Sequence, residues 1–143
     1  MTLHLIKLCV GAESVEDLAN WQQKRLAPLK KKGKPLELQH VTRQMPKRRD
    51  ELLDGGSLYW VIKGQLAVRQ KLIDLRPVTR EGVPHCAIVY DPELVLLLRR
   101  PHGPFQGWRY LQAKDTPPDA RSFKGAKGLP PELTAELAEL GLL

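Results

Sequence analysis

The stretch SLYWVIKGQLAVRQKLIDLRPV, residues 57–78, decides the fold. Ser57 to Ile62 is dense in aromatic and β-branched residues, the types that fit a pleated surface. It reads as one strand, closed by Lys63-Gly64. Gln65 to Val78 runs on as a second, long strand. Its apolar phase changes between Val68 and Leu72, and a phase change in a period-two pattern implies an extra residue, a β-bulge. Successive strands this close together pair antiparallel, because a parallel return needs a crossover of about a dozen residues or more.

The pattern continues downstream. HCAIVY (85–90) and ELVLLL (93–98) lie between turn signals at Thr79–Gly82 and Asp91-Pro92. The Gly/Pro loop PHGPFQG (101–107) leads into GWRYLQ (107–112), the last strand. KDTPPDARSFKGAKG (114–128) reads as irregular, and PPELTAELAELGLL (130–143) as a helix with Pro at its start and Gly141 near its stop.

Upstream, Leu3 to Val10 alternates weakly and reads as a strand. Ser14 is an N-cap with Asp17 at the reciprocal position. Val15, Leu18, Trp21 or Gln22, and Leu26 follow at helical spacing, with Trp21 expected in the core and an end near Pro28. Leu36 to Gln44 alternates again: Leu36, Leu38, His40 and Thr42 share one face. Pro46 and Gly55 bracket a short helix, PKRRDELL. The fold class expected is α+β: a mostly antiparallel, curved, barrel-like sheet with flanking helices, in one domain spanning 1–143.

The bulk composition bounds the function. A length of 143 residues suits one domain with its own core. Two cysteines, Cys9 and Cys86, give no disulfide framework and read as core thiols. The N-terminal apolar stretch is interrupted by Lys7 and lacks a basic leader, so it does not read as a signal peptide. The longest apolar run, Leu94 to Leu98, is too short to cross a bilayer. A cytoplasmic location is the expectation. Net charge is +7, and the excess is local: Lys24 to Arg49 holds ten Lys or Arg against one acid, Glu37. The other end carries Glu132, Glu136 and Glu139. Such asymmetry points to RNA or another polyanion as partner. The competing reading is a solvated basic face.

HVTRQMPKRRDELLDGGSLYWVIKG (40–64) together with FQGWRYL (105–111) resembles a small bacterial family catalogued as a domain of unknown function, number 1489. The resemblance covers the whole chain and implies no particular activity. A strand, Ile62-Lys63-Gly64 and a long β-rich run are also similar to the PUA-like group of small β-barrels. That group includes RNA-binding modules, readers of modified bases, and the ASCH branch with some enzymes. Aligning the ASCH pattern G-x-K-x-x-E-x-R on Gly64 puts Leu66, Arg69 and Lys71 where its lysine, glutamate and arginine belong. Most of that charged signature is lost, so this resemblance implies a fold without its acid/base chemistry.

The residues that carry chemistry are basic and aromatic. Arg43, Lys47, Arg48, Arg49, Lys63, Arg69 and Arg109 are candidates for phosphate contacts, since the guanidinium fork matches phosphate oxygens. Trp60, Trp108 and Tyr110 are candidates for stacking on bases, and Gln106 for reading a base edge. Tyr59 and Trp60 face opposite ways on one strand, so one of them belongs to the core. PKRR at a helix start offers free N–H groups to an anion. Asp50, Glu51 and Asp54 compete for those cations locally, with Lys47–Glu51 the i,i+4 pair. His40 completes the ligand-binding set beside the patch.

His4, His40, His85 and His102 lie in no metal-binding spacing, so no metal is expected. No nucleophile motif and no glycine-rich phosphate loop occurs. The expectation is a non-catalytic RNA- or nucleotide-binding protein with no cofactor. Two alternatives stand beside it: a small hydrolase acting on RNA or nucleotides through His40, Asp54 or Asp74, and a basic module that docks a protein partner or the ribosome. Oligomeric state is not legible in the sequence.

Overall fold

The computed structural model describes residues 2–124. β1 (Leu3–Leu8) leads to α1 (Val15–Lys31), β2 (Leu38–Thr42) and the one-turn α2 (Arg49–Leu53). Then come β3 (Ser57–Ile62), β4 (Gln65–Arg80), β5 (Val83–Tyr90), β6 (Glu93–Pro101), β7 (Trp108–Gln112) and β8 (Asp119–Lys124). The α+β class is as expected. The helix expected over 130–143 lies outside the described residues.

β3 and β4 pair antiparallel across Lys63-Gly64, with Tyr59 opposite Arg69 and Trp60 opposite Val68. Both turn residues have positive φ, 49° and 74°. That is the two-residue hairpin geometry whose twist matches the strands. Two bulges flank the interval where the phase change was read: Ala67 is the extra residue against β3, and Ile73 against β5.

Asp91-Pro92 departs from expectation. It breaks a strand and does not reverse the chain. β5 and β6 run antiparallel to β4 in continuing register, Tyr90 opposite Leu72 and then Val95 opposite Arg69. Pro92 has no N–H for the ladder, and the Asp91 carboxylate accepts the Glu93 N–H at 2.8 Å, so the strand kinks there.

The sheet is mixed and open. β1 lies parallel to β3, with Leu5 opposite Leu58 and Leu8 opposite Val61. Residues 9–56, α1 included, supply the crossover a parallel pair requires. Among the described residues β2, β7 and β8 each pair with one neighbour only, so the sheet does not close into the barrel read from sequence. β8 falls where an irregular segment was expected. Its two apolar residues, Ala120 and Phe123, are three apart and give no period-two signal.

α1 is capped by Ser14, whose hydroxyl accepts the Asp17 N–H at 3.1 Å. It runs past Pro28 to Lys31, because a proline one turn from the end removes a single bond without stopping the helix. Val15, Leu18, Ala19, Gln22 and Leu26 form its buried line. Trp21 falls off that line and is 41% exposed, not in the core as expected, with the Arg25 guanidinium 3.9 Å above its ring.

Every residue of β3 is buried. Its even-numbered positions, Leu58, Trp60 and Ile62, enter the main core shared with α1, β2 and β5. Tyr59 and Val61 enter a second cluster with Ile6, Leu66 and Leu97. A central strand covered on both faces buries both of its aromatics. Within the main core, Gln22 and Gln70 exchange two amide hydrogen bonds of 2.8 Å each. Gln70 Oε1 also accepts the Trp60 indole N–H at 2.9 Å, which fixes that ring.

Candidate functional site

One end of the sheet brings Arg43, Gln106, Trp108 and Arg109 together. β2 runs out at Thr42, followed by Arg43 and Gln44. The β4–β5 hairpin contributes Pro84, and the loop into β7 contributes Gln106, Gly107, Trp108 and Arg109. Together they line an open groove of about 730 Å³. No carboxylate is among these lining residues.

The groove is braced by β7. Trp108 and Tyr110, two residues apart, share one side of that strand, their ring centroids 4.9 Å apart and edge-on. The Trp108 indole donates to the Gln44 carbonyl at 3.0 Å and ties the segment after β2 to β7. Arg109 donates to the Gln106 and Trp108 carbonyls at 2.7 and 3.1 Å, which closes the loop on itself.

Tyr110 corrects the reading of PKRR. α2 begins at Arg49, and Pro46 is buried ahead of it. The Lys47 and Arg48 N–H groups, expected to meet an anion, donate to the Tyr110 hydroxyl at 2.9 and 3.3 Å. Tyr110 is half-buried beneath them and is a structural support for the patch.

The cations divide by partner. Arg48 pairs with Glu51 at i,i+3, in place of the Lys47–Glu51 pairing expected. Arg49 pairs with Asp74, which also holds Arg76. Arg69 is bidentate on Asp119 at 2.8 and 2.6 Å and donates to Ser57 Oγ at 3.0 Å. Lys63 sits on an exposed turn, 3.9 Å from Glu13. Arg48, Arg69 and Lys63 thus spend their charge on carboxylates. Among the described residues no carboxylate pairs with Arg43, Lys47 or Arg109. Asp74, a candidate for hydrolytic chemistry, is held below the usual carboxylate range first by Arg76.

Trp60 is withdrawn from the stacking set: it is 3% exposed and bonded to Gln70. His40 stands edge-on to its ring, centroids 6.0 Å apart. Burial, followed by the charges of Lys7, Arg25 and Arg80, pushes the His40 pKa down to about 4. The imidazole is neutral at neutral pH. Burial raises both thiols, Cys9 to about 11, so neither is poised as a nucleophile.

A family model matches residues 5–143. The chain belongs to the family described as "Protein of unknown function (DUF1489)". No curated protein and no solved structure matches it.

Three residues near His40 escaped the sequence reading: Lys7, Arg25 and Arg80. For Lys7 a signal existed. It shares the inward side of β1 with Leu3 and Leu5, so a charge interrupts a core-facing row. For Arg25 and Arg80 no signal existed, because their proximity to His40 follows from how α1 and the β4–β5 hairpin pack. Among the described residues no three His, Cys, Asp or Glu side chains gather as a metal site would need. No helix of the described residues is long and apolar enough to cross a membrane.

Proposed function

We propose that this protein binds RNA or another nucleotide-containing ligand, without transforming it, in the groove between Arg43, Pro84 and Trp108. The observation that carries the reading is the composition of that groove: two arginines, an exposed glutamine amide and a half-exposed tryptophan, with no acid along the lining. Its volume of about 730 Å³ falls within the span usual for small-ligand sites. Arg43 and Arg109 grip phosphate oxygens, and Lys47 extends the positive field beyond the rim. Trp108 offers a π-surface, which every base can use. Gln106 offers both a donor and an acceptor to a base edge.

Polarisation of a labelled single-stranded RNA, titrated at low salt with wild type and Trp108→Ala, tests this. Loss of the ring weakens binding by about 1–3 kcal/mol if it stacks on a base. Equal affinity for the two proteins, each shown folded by circular dichroism, would overturn the role of Trp108. No binding by wild type would overturn the reading itself.

A further inference from the structure

β1 presents Leu3, Leu5 and Lys7 on one side, and the two leucines belong to the main core. Lys7 therefore projects from the core-facing side of a central strand and is half-buried. Strand pairing sets it opposite Trp60 of β3 and opposite Trp108 of β7. A lysine stands between two tryptophans in one cross-strand row. His40 rests edge-on against the first of them, 6.0 Å between centroids. His40 and Thr42 share one side of β2, while Thr42 and Trp108 both line the groove. Lys7 and His40 lie immediately inward of it.

One more cation flanks the pair, and another lies farther out. Arg25 of α1 donates to the Gln39 carbonyl at 3.4 Å, which holds its guanidinium beside β2. Arg80 ends β4 on the hairpin that carries Pro84. Among the described residues neither Lys7 nor His40 has a hydrogen-bond or ion-pair partner. The Cys9 thiol near Lys7 stays protonated. Asp17, whose charge reaches Cys9, accepts the Glu13 N–H at 3.1 Å. The β3 and β7 neighbours are indole rings and do not ionise. An ammonium withdrawn from water beside other cations is unfavourable until an anion joins it.

We propose that Lys7 and His40, flanked by Arg25, form a subsite for a phosphate monoester dianion, the terminal phosphate of the strand or nucleotide held in the groove. This deepens the proposed function and rests on it for the source of the phosphate. Lys7 supplies the point charge. Neutral His40 donates an N–H to one of the phosphate oxygens. A mid-chain phosphodiester carries one negative charge and offsets these basic groups less well.

Two measurements test it. The imidazole of His40 is titrated by NMR in inorganic phosphate and in chloride of equal ionic strength. Phosphate is expected to raise the His40 pKa by about one unit or more, because a nearby anion favours the charged ring. In Lys7→Gln the rise should shrink. The comparison of the two salts is made on wild type and does not depend on that variant folding. In parallel, RNA with a 5′- or 3′-phosphate is compared with the same RNA bearing hydroxyl ends. The phosphorylated strand should bind about tenfold tighter, in keeping with charge-assisted bonds to the extra oxygens. A His40 titration unmoved by phosphate overturns the subsite, even where RNA still binds the groove. A His40 response to phosphate with no RNA binding upholds the subsite and overturns the groove reading. A response to phosphate with equal affinity for phosphate and hydroxyl ends overturns the assignment to a strand terminus.

Discussion

Gln70 is the point at which the two halves of the main core are joined, and its replacement gives a non-additive prediction. Gln22 and Gln70 are both fully buried and bond each other twice. Gln70 Oε1 holds the Trp60 indole as well. Gln70→Leu strands the Gln22 amide N–H, the Gln22 carbonyl, the Trp60 N–H and the Asp91 carbonyl, each costing about 1 kcal/mol when buried and unmet. The extra apolar area of leucine returns roughly 1 kcal/mol. A net loss of about 3–4 kcal/mol follows. Gln22→Leu strands part of the Gln70 amide, for about 1–2 kcal/mol. The double variant removes both amides together and strands the Trp60 N–H and the Asp91 carbonyl, which accepts from Gln70 Nε2 at 3.2 Å. With two leucines packed in their place it should lie within about 1–2 kcal/mol of wild type, more stable than Gln70→Leu alone. Urea unfolding of the four proteins completes the cycle. Losses that simply add, giving a double variant less stable than either single one, would refute the argument that the amides are satisfied chiefly by each other. Because Trp60 carries the ring edge against which His40 rests, Gln70→Leu should also broaden the His40 imidazole resonances.

Three further outcomes follow from single residues. A methyl at Gly56 would fall well inside van der Waals contact with the carbonyl oxygens of Leu52 and Leu3, both backbone atoms of packed elements. Gly56→Ala should therefore cost about 3 kcal/mol in urea unfolding, and a loss under about 1 kcal/mol would contradict the close approach. The His40 pKa drops from 6.5 in the unfolded chain to about 4 in the fold, so the unfolded state takes up a proton first as pH falls. Stability present above the unfolded value is lost between those two pH values. His40→Gln should flatten that decline, and an unchanged pH profile would remove His40 as its source. With its pKa pushed up to about 11, Cys9 should react with a thiol reagent at pH 8 on the order of a hundredfold slower than an ordinary cysteine of pKa about 8.5. Labelling at the ordinary rate would contradict its burial.

Much of the fold was legible because it rests on local chemistry. The strand pattern of 57–78, its bulge, the Ser14 cap and the turn at Thr79–Gly82 are all written in neighbouring residues. What the sequence hid was long-range. Nothing local to β1 says that it pairs parallel to β3 and antiparallel to β7. Asp91-Pro92 has the residues of a turn, yet continuing register along β4 makes it a kink. Trp60 and Trp21 exchange the places expected of them, because the first lies on a strand covered on both faces and the second falls just off the helix's buried line. The candidate site was legible as composition and not as arrangement. Arg43, Gln106, Trp108 and Arg109 come together as the sequence reading required. Arg48 and Arg69 are engaged instead by Glu51 and Asp119, and the second of those partners is 50 residues distant.

The central claim is that the groove cations, and not the paired arginines of α2, hold a polyanion. The most direct measurement is the salt dependence of single-stranded RNA binding for wild type, Arg43→Ala, Arg109→Ala and Arg48→Ala, with duplex DNA alongside. Each groove variant should lower the slope of log K against log salt by roughly 0.7, as one phosphate contact is lost, while Arg48→Ala leaves it nearly unchanged. A wild-type affinity that does not vary with salt, or a slope that falls for Arg48→Ala and not for the groove variants, would contradict the account.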